Sequence, residues 1–188
     1  FLLENVGMRK EWSDIITQYI GVEPVHLCSS LVSAQTRKRI YWANWEILTP
    51  KNANIHLLSI LTENDLLKNP ASIVGRKINP ATVKRQDSKP NIPYSQCLQV
   101  KSDNTKIGCL TTVAKDSIVT KLPHGRYLNA FDDYQGGIDW RYLTPVECER
   151  AQTVPDNYTE GYPENTRKAL MGNGWTVDMI SHILSIAP

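Results

Sequence analysis

Long apolar stretches are missing from this 188-residue chain: no run approaches the ~18 residues a membrane-spanning helix needs, so the 41% of hydrophobic residues is available for an interior core. No basic segment leads into a short apolar core, and nothing reads as a secretory leader. Cysteine is sparse and scattered. Cys28, Cys97, Cys109 and Cys148 form no Cys-x-x-Cys pair, which argues against a zinc centre and for free thiols in a reducing compartment. Asn157-Tyr158-Thr159 fits a glycosylation sequon, but without a secretory signal it reads as coincidence. No fixed-period repeat or low-complexity tract is present. The length suits one compact domain, or a core that carries a smaller module.

A dominant charge is missing as well, because the net charge is only +2. That small value hides a division. Between Leu66 and Arg126 there are eleven Lys or Arg against three Asp, a local excess of +8 that leaves −6 for the remainder. A basic middle between acidic flanks is either a module facing a polyanion or a solvated lysine-rich surface.

What is present has the grammar of an α/β protein. Phe1-Leu2-Leu3 reads as a short strand ending at Glu4, which places a carboxylate at the mouth of a sheet, where such sheets bind ligands. Met8, Trp12, Ile15, Ile16, Tyr19 and Ile20 recur at helical spacing and are followed by Gly21 as the residue closing the helix. Strands are expected over 22–27 and 39–45. From about residue 49 the texture changes, and five prolines in the basic region (Pro70, Pro80, Pro90, Pro93 and Pro123) with short apolar runs (107–113 and 117–122) predict a small, loop-rich module of short strands. Regular structure resumes near Arg141. Thr144-Pro145-Val146-Glu147 spells a capping box with proline at the first helical position, for a helix to about Gln152. A second helical stretch over 166–170 is expected to stop at Gly172-Asn173-Gly174, and a last helix follows Thr176 with Val177, Ile180, Ile183 and Leu184 on one face.

Three local patterns carry chemistry. Glu4 is either a working acid or an ordinary cap or ion-pair partner. Gln35, Arg37 and Arg39 alternate, so in extended chain they share one face; one amide and two planar guanidiniums suit phosphate oxygens or base edges, or else decorate a solvated strand end. Gly172-Asn173-Gly174-Trp175 ahead of a helix offers either a ligand approach with a stacking ring or a simple turn.

Taken in order, these patterns resemble the C-terminal half of the DNA (cytosine-5) methyltransferases. The series runs Glu4-Asn5-Val6, then Gln35-x-Arg37-x-Arg39, then a variable basic insertion. Arg141-x-Leu-Thr-x-x-Glu147-x-x-Arg150-x-Gln152 and Pro155-Asp156 follow, and Gly172-Asn173 precedes the terminal helix. The likeness is to bacterial or phage enzymes of the restriction-modification kind, with affinity to the de novo branch. It implies the C-terminal part of a Rossmann-like S-adenosylmethionine-dependent sheet with an inserted target-recognition domain. The divisions are 1–49 for the catalytic domain, 50–139 for target recognition and 140–188 for the returning catalytic helices.

The family chemistry assigns roles by resemblance. A cysteine thiolate adds to C6 of a flipped-out cytosine, and the activated C5 takes a methyl group from S-adenosylmethionine. Glu4 matches the acid at cytosine N3, with a pKa raised by desolvation, and Asn5 holds its loop. Arg39 matches the arginine on the cytosine carbonyl or a nearby phosphate, with Arg37 beside it. Asn173, Gly174 and Trp175 line the cofactor pocket. Gln35, Lys84, Arg85, Lys106 and Arg141 face duplex DNA. The family's cofactor loop and Pro-Cys nucleophile lie upstream of Glu-Asn-Val, and the residues before the four cysteines are Leu27, Gln96, Gly108 and Glu147. The chain is therefore expected to be inactive alone and to need an N-terminal catalytic half, in the same chain or in a separate subunit of a split enzyme. The alternative is a non-catalytic, DNA-binding or regulatory paralogue. An unpaired sheet edge at residues 1–3 also predicts a possible homodimer. The expected location is the cytoplasm of a bacterial or phage-infected cell, at the nucleoid.

Overall fold

A computed structural model describes residues 1–62, 68–77, 94–102, 105–113, 116–128 and 140–188. Two sheets are joined by a common core. The first has three strands, β1 (Leu2–Val6), β2 (Val25–Cys28) and β3 (Lys38–Ala43), in the order β1-β3-β2. Helix α1 (Lys10–Ile20) connects β1 to β2 and ends at Gly21, whose φ of 77° and N–H to Thr17 O (2.8 Å) are those of a left-handed closing residue. Both outer strands run antiparallel to β3, so β1 and β2 are parallel to each other with β3 wedged between them.

Period-two alternation divides this sheet into two faces. Leu3 and Asn5 lie opposite Trp42 and Ile40 on the side of α1, where Trp42 Nε1 donates to Thr17 Oγ1 at 3.0 Å. On the other side Leu2, Leu27, Tyr41 and Ala43 pack with Ile47, Met179, Ile180 and Ile183. The expected strand at 1–3 extends through Val6, so Glu4 lies within β1, paired with Tyr41, and not at its end. Strand β2 starts at Val25, after Pro24, which has no N–H for a ladder.

The second sheet is fully antiparallel, in the order β7-β5-β4-β6-β8. Its strands are β4 (Asn69–Lys77), β5 (Tyr94–Val100), β6 (Ile118–Thr120), β7 (Gly125–Leu128) and β8 (Trp140–Tyr142). The expected short strands are present as β6, β7 and β8, with three, four and three residues, while β4 has nine and β5 seven. Pro70 is tolerated as the second residue of β4. Ala71, Ile73, Leu98, Val100 and Ile118 form this sheet's core.

A third cluster joins the halves. Ala34, Leu57, Ile107, Leu110, Val119, Leu143, Cys148, Ala151 and Met171 are buried together. Helix α2 (Pro145–Ala151) forms as expected: Thr144 accepts from Glu147 N, and the Glu147 carboxylate accepts from Thr144 N. Helix α3 (Glu164–Asn173) is longer than expected and includes Gly172 and Asn173. An added Cβ at Gly172 would collide with the Thr111 backbone and lie 2.6 Å from Thr112 N. Helix α4 (Val177–Ser185) buries Met179, Ile180 and Ile183, while Val177 and Leu184 of the expected apolar face are exposed. No helix among the described residues is long and apolar enough to cross a membrane.

Candidate functional site

Three of the residues singled out in the sequence meet at one carboxylate. Glu4 in β1 and Arg39 in β3 project from the same face of the sheet, and Arg39 Nε lies 2.9 Å from Glu4 Oε1. Both side chains are largely shielded, at 13% and 14% exposure, so the pair is held with less solvent screening than a surface ion pair. The second oxygen, Oε2, accepts from Trp175 Nε1 at 3.2 Å. Arg39 Nη1 donates to Lys38 O at 2.8 Å, and Nη2 lies 3.7 Å from Cys109 Sγ. Tyr41, cross-strand from Glu4, has its phenol pushed up to about 12, first by burial and then by the Glu4 charge. The sequence reading missed Tyr41, yet the alternation that aligned Arg37 with Arg39 continues to it. Asn5 accepts from the adjacent Val6 N at 2.8 Å.

Arg37 has a different place. Its Nη1 donates to Leu110 O (3.0 Å) and its Nη2 to Gly174 O (2.9 Å), with longer contacts to Gly172 O. It is 5% exposed and binds carbonyls, so it sits beneath Arg39 as an internal support. Gln35 is fully buried and precedes β3. Its Nε2 donates to Ala151 O (2.6 Å) and Gln152 Oε1 (2.7 Å), while its Oε1 accepts from Leu110 N (3.2 Å). Gln152 in turn accepts from Thr176 Oγ1 at 2.9 Å and donates to Gly174 O at 3.1 Å. The Gln35 amide is thus the centre of a buried joint, and its expected contact with DNA is corrected.

Two more of the expected DNA contacts face inward. Lys106 Nζ donates to Ser30 O (2.9 Å), Ser33 O (2.8 Å) and Ile55 O. Arg141 makes a two-pronged pair with the buried Glu147, at 2.8 Å on each oxygen, and the same carboxylate accepts from Thr62 N at 3.0 Å. These ammonium and guanidinium donors act as structural ties to internal oxygens. Lys84 and Arg85 lie outside the described residues. The 141–152 segment is a fastener throughout. Arg150 pairs with Asp156 and reaches Ile60 O, while the buried Glu149 accepts from Arg167, Thr159 and Asn157 N.

Trp175 is exposed beside the Glu4–Arg39 pair and Asn173 is exposed two residues before it, whereas the Gly174 carbonyl is held inside by Arg37 and Gln152. An open cleft of about 480 Å³ lies at the same end of the sheet, where Gly7 and Met8 face His26, Cys28, Lys38 and Arg39. No group of three or more metal-ligating side chains occurs among the described residues. The arrangement offers a strand-borne carboxylate braced by a guanidinium and bordered by an exposed aromatic ring.

A family model described as C-5 cytosine-specific DNA methylase matches residues 28–186, which includes Arg39 and Trp175 but not Glu4. The Type II methyltransferase M.Sau3AI of Staphylococcus aureus is 34% identical over 90 residues, covering 48% of this chain and 20% of that protein. Among solved structures, the Entamoeba histolytica methyltransferase EhMeth superposes with a TM-score of 0.57 at 15% identity, over 98% of this chain and 62% of the other. The S. pombe Dnmt2 methyltransferase gives 0.54 at 17% identity, over 98% and 64%. The chain therefore spans about a fifth of its curated relative and less than two thirds of these structural neighbours.

Proposed function

The chain belongs to the C-5 cytosine-specific DNA methylase family, and on that premise we propose that it forms the target-base and DNA-recognition side of an enzyme that methylates cytosine C5 in duplex DNA. The observation carrying this reading is the shielded Glu4–Arg39 pair at 2.9 Å. A carboxyl fixed in a strand and braced by Arg39 on one oxygen can turn the other, which accepts from the exposed Trp175 indole, to a base edge once the indole is displaced. When a flipped cytosine enters, the Glu4 carboxyl gives its proton to N3: the O–H bond breaks, N–H forms, and negative charge building on the ring during attack at C6 is relieved. Arg39 keeps the carboxylate oriented and neutralised, and Arg37 and Gln35 hold the surrounding walls from within.

The exposed ring of Trp175 and the exposed amide of Asn173 suit one wall of a site for an adenosine-bearing cofactor. S-adenosylmethionine, when bound, supplies the electrophilic methyl group. Residues 50–139 act as the target-recognition domain. The nucleophile and the main cofactor loop come from a partner segment, in the same chain or another. It docks on the free edge of β1 and on α1, where Trp12, Ile15 and Tyr19 are exposed. A place in the cytoplasm, at the nucleoid, belongs to the same proposal.

Substituting Glu4→Gln in the assembled enzyme tests the assignment. Turnover is expected to fall roughly 10²-fold or more with DNA affinity retained, measured by methyl incorporation and by equilibrium binding. Unchanged turnover would remove Glu4 from the chemistry.

A further inference from the structure

Both oxygens of Glu4 are occupied, by donors that differ in how firmly they are held. Arg39 is anchored: it lies in β3, its side chain is 13% exposed and its Nη1 is tied to Lys38 O. Trp175 is 53% exposed and stands on the three-residue link between α3 and α4. Its neighbours fix that link, because Gly174 O accepts from Arg37 and Gln152, and the Thr176 hydroxyl bonds Gln152. The root of the indole is thus pinned while the ring is open to solvent and held at its outer edge by the Glu4 contact.

An indole N–H is a neutral, in-plane donor on an aromatic ring. A pyrimidine protonated at N3 presents the same kind of group in the same plane. The state that follows proton transfer from Glu4, a ring N–H facing a carboxylate oxygen, is therefore the arrangement that Trp175 already makes at 3.2 Å. We propose that Trp175 is a positioning residue that holds the seat of the target base on Glu4 Oε2, and that indole and base compete for that oxygen. This rests on the reading of Glu4 as the cytosine acid. The Glu4 side chain is kept aligned before the base arrives; the base displaces the indole, the protonated carboxyl gives its hydrogen to N3, and the new N3–H then stands on Oε2 where the indole N–H had been. The other groups around the seat, Arg37, Tyr41 and Cys109, are held from the sheet side and do not supply a second donor to Oε2 among the described residues.

Indole N–H resonances of the ¹⁵N-labelled chain test the contact directly. The five tryptophans give five signals, with Trp175 assigned by its loss in W175F. Glu4→Gln is expected to move the Trp175 signal and to leave those of Trp42, bonded to Thr17, and Trp45, bonded to Ile183 O, in place. Well-dispersed remaining signals confirm that each variant folds. In the complete enzyme, W175F keeps the ring and removes the donor. It is expected to lower KM for DNA several-fold with a smaller change in kcat, and W175H, which restores a ring N–H, reverses the effect. An unmoved Trp175 signal, or a KM that is unchanged or raised in W175F, overturns the proposal. A normal turnover in Glu4→Gln alongside a shifted Trp175 signal removes the acid reading instead, and leaves the indole–carboxylate contact standing.

Discussion

At position 172 the absence of a side chain lets α3 lie directly on the backbone of Thr111 and Thr112. Alanine there gains up to ~1 kcal/mol of helix propensity, but overpacking costs about 1–3 kcal/mol. The obstacle is backbone and not a movable side-chain tip, so the cost lies at the upper end. Gly172→Ala is therefore expected to lose about 2 kcal/mol net, read as a lower urea midpoint at constant m. Gly7→Ala, whose added carbon meets nothing within 4 Å, serves as the neutral control. The sequence showed a Gly-Asn-Gly interruption, and the physical demand turned out to be a close approach inside a helix. The partners of Gln35 and Arg37 were not legible for a related reason. Alternation aligned both residues with Arg39 as a pattern, but it carries no information about partners 72 to 141 residues away, and those partners decide that the two donors point inward. Glu4 and Arg39 were legible because both sit in strands whose register follows from local alternation.

Helix α2 shows how an element signalled locally acquires a role that is not local. The capping box was readable because Thr144 and Glu147 are three residues apart. The same carboxylate also receives Arg141 and Thr62, which fastens the helix to β8 at the edge of the second sheet and to the 57–62 turn. Burial alone would push the Glu147 carboxyl up, but Arg141 and the N–H groups of Thr62 and Thr144 outweigh it and hold it below its ordinary 4.5. Glu149 is held low in the same manner, with Arg167 and Thr159 prevailing over burial. A depressed folded value contributes stability above the unfolded one and loses it as pH falls through the folded value. Stability is therefore expected to hold above pH 4.5 and to decline below it. Glu147→Gln should flatten part of that decline and cost roughly 3 kcal/mol at neutral pH, the low end for breaking a buried pair because Arg141 keeps some solvent. Denaturant titrations across pH measure both, and an unaltered acid slope would place the lability elsewhere. The second sheet was the element least legible beforehand, because prolines between 70 and 123 suggested loops and the pairing of β4 with β5 is not encoded in any short pattern.

On the scale of the whole molecule, one side is conspicuously unfinished. Trp12, Ile15 and Tyr19 form a stripe on α1 at 61%, 50% and 87% exposure, beside an edge strand paired on one side only. A contiguous apolar stripe next to a free edge favours association. The isolated chain is expected to self-associate with rising concentration, and replacing the three side chains by Ser should return it to monomer in sedimentation velocity; a monomeric parent chain would count against this surface. The +8 excess between 66 and 126 predicts weak duplex binding that falls steeply with salt, measured by fluorescence anisotropy, with salt-insensitive binding as the contrary result. The buried joint around Gln35 also imposes a timetable on the growing chain. Its amide meets Leu110, Ala151, Gln152 and Thr176, and the last of these is made 141 residues after Gln35 itself. At about 5–20 residues per second, that amide waits roughly 7–30 s on the ribosome before its final partner exists. Until the C-terminal corner emerges, the joint between the two sheets is open and the nascent protein depends on whatever shields it in the meantime.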